Sequence, residues 1–143
     1  IKWFAPILSF TTEEIYTLVD NNKKSVHLEK FIEIPKNYLN ETLNNKWINL
    51  KKIRDVCNIS IEEKRGNKDI GSSLEASITI NLNKQLFEET KNVDFSEICI
   101  TSSATIEKNN ENNEIIVSTK KAEGQKCPVC WKINSSPCPR HSI

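Results

Sequence analysis

The feature that most constrains this chain is the stretch "KCPVCWKINSSPCPRHSI", which places Cys127, Cys130, Cys138 and His141 within fifteen residues. They form two pairs, Cys127-Pro-Val-Cys130 and Cys138-Pro-Arg-His141, with seven residues between the pairs. A two-residue gap lets one tight turn present two ligands to the same ion. Two such turns supply the four soft or borderline donors that zinc holds in a tetrahedron. In such a turn the first sulfur accepts amides from two and three residues on, so Pro128 and Pro139 remove no needed hydrogen bond. Three thiolates and one neutral imidazole leave no open coordination position, so one structural zinc ion is expected rather than a hydroxide generator. Lys126, Lys132 and Arg140 stand beside the site and are expected to favour deprotonated sulfur. A tail of about twenty residues buries little apolar surface, so metal binding is the expected source of its fold.

Other readings of the cluster are weaker. Five cysteines cannot all pair as disulfides, and the composition lacks a secretory signature. Four residues that never meet would leave the repeated spacing unexplained. His141 lies two residues from the last residue, and a water or another group can take its place as fourth ligand. Cys57 and Cys99 stand alone in apolar patterns and read as small core residues.

The rest of the chain is read from periodicity. Residues 1–20, "IKWFAPILSFTTEEIYTLVD", are helical in pattern, with Trp3, Ile7, Leu8, Ile15, Leu18 and Val19 on one stripe and a break at Pro6. Thr11 and Glu14 have capping-box spacing, and Phe10 with Ile15 that of a hydrophobic staple. Residues 21–40 read as an extended connector packing through Val26, Leu28, Phe31 and Ile34. Residues 41–66 read as a long helix with Leu43, Trp47, Leu50, Ile53 and Cys57 on its apolar stripe and Gly66 as C-cap. A strand over 74–82, a short helix begun by Asn83, and strands over 97–107 and 114–120 follow, the last two joined by the polar turn "KNNENN". The fold class is therefore α+β: helices, then a small strand–helix–strand–strand layer, then a zinc knuckle. The expected divisions are 1–40, 41–72, 73–122 and 123–143. A chain that starts at Ile1 and holds no methionine is expected to be part of a longer protein, cut within a helix.

The net charge is +1, so any surface for nucleic acid must be local. Lys64, Arg65 and Lys68 cluster near the end of the long helix. Lys120, Lys121, Lys126, Lys132 and Arg140 crowd the tail, where Glu123 is the sole acid. With Trp131 beside the second cysteine, this composition suits a phosphate backbone and an unstacked base. No catalytic set emerges. Adjacent carboxylates such as Glu62 and Glu63 do not face each other on a helix, His27 is isolated, and three scattered glycines make no phosphate loop. No run of eighteen apolar residues exists, so no membrane partner is expected.

Four stretches resemble one family. "APILSFTTEEIY" resembles the end of the helical anticodon-binding domain of class I aminoacyl-tRNA synthetases of the valine, leucine and isoleucine group. "SVHLEKF", "RGNKDIGSSLEASI" and "KCPVCW…CPRH" resemble, in order, the following segment, the Arg-x-x-Lys-x-Ile-Gly-x-Ser-Leu-Glu-Ala signature and the terminal zinc module of bacterial-type isoleucyl-tRNA synthetases. The resemblance implies a cytoplasmic, monomeric ligase that joins isoleucine to its tRNA through an adenylate. ATP and magnesium belong to a catalytic domain absent from these residues, so this part is expected to be non-catalytic. It implies metal ligation by Cys127, Cys130 and Cys138, and two partners: the tRNA for isoleucine and the remainder of the same chain. The family's usual fourth ligand is a cysteine where this chain has His141, and the spacer between the pairs is short for the family, which implies a trimmed loop. A free-standing zinc ribbon that binds nucleic acid or protein is the competing reading. It explains the cluster but not the order of the other stretches.

Overall fold

A computed structural model describes residues 1–19, 24–109 and 114–141. The chain divides into two compact units, Ile1–Asn40 and Glu41–Ile143.

In the first unit, residues 1–8 form turns and helix α1 spans Ser9–Val19. The break expected at Pro6 is present, because proline cannot donate to the turn before it. The expected capping box is not. The helix starts two residues before Thr11, and Thr12 instead returns its hydroxyl to the Leu8 carbonyl at 2.7 Å. Nor is there a staple: Phe10 is 93% exposed. The connector is two short 3-10 turns, Val26–Leu28 and Lys36–Tyr38, rather than a continuous extended run. Of its four apolar residues only Val26 is buried; Leu28, Phe31 and Ile34 are exposed. Glu13 fixes the first of these turns by accepting the Val26 amide at 2.9 Å and the Ser25 hydroxyl at 3.0 Å. His27 lies at the surface, its Nε2 3.2 Å from the Ser9 carbonyl.

The second unit opens with α2, Glu41–Gly66. Its buried stripe is Leu50, Ile53, Cys57 and Ile61: three residues of the expected stripe are buried, Ile61 extends it, and Leu43 and Trp47 remain about half exposed. The helix ends in a Schellman motif: the Asp69 amide donates to Lys64 O and the Lys68 amide to Arg65 O, both at 3.0 Å. The left-handed residue is Lys68, with φ of 62°, so the C-cap role expected of Gly66 falls two residues later. The Arg65-to-Ala76 signature is thus the turn between helix and sheet. Ile70 plugs the core, Gly71 donates its amide to Glu75, and Ser73–Glu75 make a 3-10 turn into the first strand.

Strand β1, Ala76–Leu82, alternates buried and half-buried residues, with Ala76, Ile78, Ile80 and Leu82 at most 1% exposed. Asn83 caps α3, Lys84–Thr90, by accepting the Leu86 amide at 2.9 Å. A four-residue helix α4, Phe95–Ile98, follows where the sequence suggested the start of a strand. Asp94 caps it, and Ile98 and Cys99 of "EICI" pack on the core while Ile100, in a left-handed conformation, is exposed. Strand β2 is Ser103–Lys108 and β3 is Ile116–Lys121. Part of "KNNENN" lies outside the described residues.

The sheet order is β2-β1-β3, with β1 parallel to β2 and antiparallel to β3. The parallel pair needs a crossover, which α3 and α4 supply. One sheet face packs on α2, where Phe95 and Cys99 complete the core. Each fully buried Ile, Leu or Phe contributes about 1.5–3 kcal/mol of transfer free energy. Across the helix–sheet seam, Ser60 Oγ lies 2.7 Å from Thr119 Oγ1. The opposite face carries only Ser77, Thr79 and Asn81 from the central strand. Finally, β4 (Gln125–Lys126) and β5 (Ile133–Asn134) pair as a short antiparallel ribbon framing the first cysteine turn.

Candidate metal centre and nucleic-acid interface

The ribbon brings the four candidate ligands together. One donor atom from each of Cys127, Cys130, Cys138 and His141 lies within 4.8 Å of every other, so the cluster could hold a metal ion. Cys130 Sγ is 3.7 Å from Cys138 Sγ, and His141 Nδ1 is 3.5 Å from Cys127 Sγ and 3.4 Å from Cys138 Sγ. Each pair is closed by a backbone turn: Trp131 N donates to Cys127 O at 2.9 Å, and His141 N to Cys138 O at 3.1 Å.

The amides beside these sulfurs do what the lysines were expected to do. The Cys130 and then the Val129 amide point at the Cys127 sulfur and draw its thiol down to about 6. Burial opposes ionisation of Cys138, but the Arg140 amide and the His141 imidazole bring it below the ordinary thiol range. The Lys132 amide favours the Cys130 thiolate, yet burial and the two neighbouring sulfurs leave this thiol raised. His141 is held above the usual imidazole value, chiefly by the Cys138 sulfur. Cys127 must give up its proton to bind a metal ion, and its thiol is drawn down to about 6, so metal uptake is expected to weaken as pH falls through about 6, which chelator competition on either side of that value measures.

Lys132 and Arg140 are engaged elsewhere. Both bind one oxygen of Glu97 on α4, at 2.6 and 2.8 Å, and hold its carboxyl below the usual range. Lys132 also reaches Ser96 Oγ at 3.3 Å. The buried Ser102 hydroxyl completes this dock by donating to Leu74 O and accepting the Ile133 amide at 2.6 Å. Sequence reasoning missed Glu97 and Ser102. Asp94-Phe95-Ser96-Glu97 has the form of a capped short helix, which was the available signal.

The other basic residues separate clearly. Lys64 pairs with Asp69 at 3.1 Å and Arg65 with Glu62 at 2.7 Å, while Lys68 occupies the left-handed cap. Among the described residues, Lys120, Lys121 and Lys126 form no ion pair. Lys126 Nζ sits 6.0 Å from the Trp131 ring centroid. Trp131 is 59% exposed with φ of 65°, a left-handed conformation that a bulky residue seldom adopts. Cys57 and Cys99 are core residues, as their sequence context suggested. The Cys57 thiol is raised by its contact with Cys99 and by burial, so it stays protonated. No helix is long and apolar enough to cross a membrane among the described residues.

Residues 1–80 match the family described as the anticodon-binding domain of tRNA ligase. Over 142 residues, 99% of the chain, it is 67% identical to an isoleucine–tRNA ligase of Pelagibacter ubique. It is 37% identical over 94% of its length to that of Agrobacterium fabrum, and 33% identical over 93% to that of Petrotoga mobilis. The chain spans 16%, 15% and 16% of these three relatives. Residues 1–80 thus place the chain in the family that carries the anticodon-binding domain of tRNA ligases, and its relatives along nearly its whole length are isoleucine–tRNA ligases.

Proposed function

We propose that these residues are the tRNA-binding, non-catalytic C-terminal part of an isoleucine–tRNA ligase, in which one zinc ion, held by Cys127, Cys130, Cys138 and His141, fixes a knuckle against the anticodon arm. The observation that carries this reading is the similarity to isoleucine–tRNA ligases across nearly the whole chain, the stretch that holds the cysteine cluster included. The free-standing ribbon leaves that similarity unexplained.

The donor geometry supports zinc. A tetrahedron with Zn–S of about 2.3 Å and Zn–N of about 2.0–2.1 Å has S···S edges near 3.8 Å and S···N edges near 3.5 Å. Three of the cluster's six edges are 3.7 Å and 3.4–3.5 Å, and all six are within 4.8 Å. His141 offers Nδ1 as the fourth donor, in place of the cysteine usual for the family. A closed four-ligand site gives the metal a structural role. Activation of isoleucine with ATP and magnesium belongs to the catalytic domain of the same ligase, a monomer of the cytoplasm.

For RNA contact, Lys126 and Trp131 are the best-placed pair: an unpaired cation beside an exposed indole can meet a phosphate and an unstacked base together. Lys120 and Lys121 add charge. Lys64, Arg65 and Lys68 contribute more weakly, since two of the three have carboxylate partners. Lys132 and Arg140 share the single carboxylate of Glu97, and their place is in docking the knuckle.

The test is a salt titration of binding between the zinc-loaded protein and the isoleucine tRNA. Lys126→Ala is expected to reduce the slope of log K against log salt by about one, and Arg140→Ala by much less. Trp131→Ala is expected to weaken binding by about 1–3 kcal/mol with the slope unchanged. No binding at low salt, or an unaltered slope in Lys126→Ala, would overturn this assignment.

A further inference from the structure

The open face of the sheet is smooth and polar at the end nearest the knuckle. Ser103, Ser77 and Lys120 are register partners across β2, β1 and β3, so they form one row. Ser103 Oγ lies 2.7 Å from Ser77 Oγ, and both are at the surface. Lys120 projects from this row at a groove of about 480 Å³ that Lys121 and, from the knuckle, Ser135 and Ser136 also line. That volume falls in the range of about 300–1,000 Å³ typical of binding clefts. Glu123 is its only acidic lining residue, and among the described residues neither lysine has a carboxylate partner.

The chemistry of the lining selects the occupant. Hydroxyls outnumber the apolar lining residues Ala122, Ile133 and Pro139, so the groove favours a polar ligand. Two unpaired lysines with one carboxylate favour an anion. Hydroxyls set beside the lysines suit a ligand whose charge alternates with hydroxyl groups along its length, which describes an RNA strand. Lysine and serine are also among the residues that most often meet phosphate and sugar oxygens. A hydroxyl that donates and accepts is the complement of a ribose 2′-OH, the group that separates RNA from DNA.

We propose that this groove seats one phosphate–ribose unit of bound RNA, with Lys120 on the phosphate, Lys121 adding charge at its edge, and the Ser77–Ser103 pair and Ser136 reading the sugar. The proposal rests on the tRNA reading above and extends it to residues that carry neither metal nor aromatic surface. It makes the knuckle one side of a cleft whose other side is the sheet, so the metal also sets the cleft's width.

The experiment compares an RNA stem–loop carrying the anticodon arm with a DNA oligonucleotide of the same sequence, using intact zinc-loaded protein. Ser103→Glu puts a carboxylate on the groove floor and is expected to weaken RNA binding at least tenfold, with zinc content unchanged. Ser103→Ala is expected to narrow the preference for RNA over DNA and to leave DNA binding in place. Ser136→Glu, on the facing wall, serves as a second variant should Ser103→Glu lose metal, and is expected to repeat its effect. Lys91→Ala, which removes a lysine paired with Glu88 on α3, is the control expected to change little. If both glutamate variants bind RNA like the parent while Lys126→Ala binds weakly, the groove is not a seat and the tRNA reading stands. If the parent protein binds no RNA, both fall.

Discussion

Cys130→Ser is expected to drop the metal content from one ion per chain to nearly none and to unfold the knuckle, leaving α2 helical. Among the described residues, the cluster has four candidate donors within 4.8 Å and no fifth to stand in. A serine hydroxyl does not ionise near neutral pH, so the ion would lose a thiolate with nothing in exchange. Structural zinc is worth about 10–16 kcal/mol in small modules, far more than the knuckle's own packing offers. From residue 123 to 141 the only buried side chains are the candidate ligands Cys127 and Cys138. Helix α2 is different: its stripe of Leu50, Ile53, Cys57 and Ile61 packs on β1, and no part of that contact passes through the cluster. Elemental analysis and far-UV circular dichroism read the two effects separately. Full metal retention in the variant would remove Cys130 from the site.

Gly124→Ala is the second large effect, and it acts without touching a ligand. Gly124 has φ of +127°, where an L side chain is strained by about 1–3 kcal/mol. A Cβ there would also lie 2.1 Å from the Asn134 carbonyl oxygen and 2.8 Å from the Ser135 nitrogen. Both are backbone atoms of the β5 side of the ribbon and cannot swing aside. The ribbon must therefore part at the point where Gln125 pairs with Asn134, the contact that aims Cys127 at its partners. Zinc affinity is expected to fall at least tenfold, while the thermal transition of the α2–sheet core moves little. Competition with a chromogenic chelator measures the first, and calorimetry the second. Affinity equal to that of the parent would mean the cluster forms without the ribbon.

How far the sequence foretold this molecule depended on the range of the interaction concerned. The paired Cys-x-x-Cys and Cys-x-x-His spacings determine local turns, and the four residues meet as that spacing implied. Asn83 heads its helix for an equally local reason. Alternation in "ASITINL" survives because one face of β1 is buried and the other is not. The misreadings share the opposite cause. Leu28, Phe31 and Ile34 look like packing residues, but the unit they belong to does not cover them. "EICI" looks like strand until Asp94 caps the short helix that sends Ile98 and Cys99 into the core and leaves Ile100 exposed. The basic tail was read as one electrostatic surface because sequence separation hides Glu97, thirty-five residues before Lys132 in the chain yet 2.6 Å away in space. Gly124 carried no motif at all. Its need for a bare Cα arises only once Asn134 folds back against it.

The position of β1 has a consequence for how the chain is made. Both of its partner strands are translated after it, and its nearest pairing residue, Ser103, follows Ser77 by 26 positions. At roughly 5–20 residues per second, β1 waits about one to five seconds on the ribosome with Ile78, Ile80 and Leu82 unpaired. What precedes it is α2, already synthesised, whose apolar stripe is the surface those three side chains finally occupy. The long helix can thus act as the nascent strand's own escort, covering a sticky segment before any neighbour exists to pair with it.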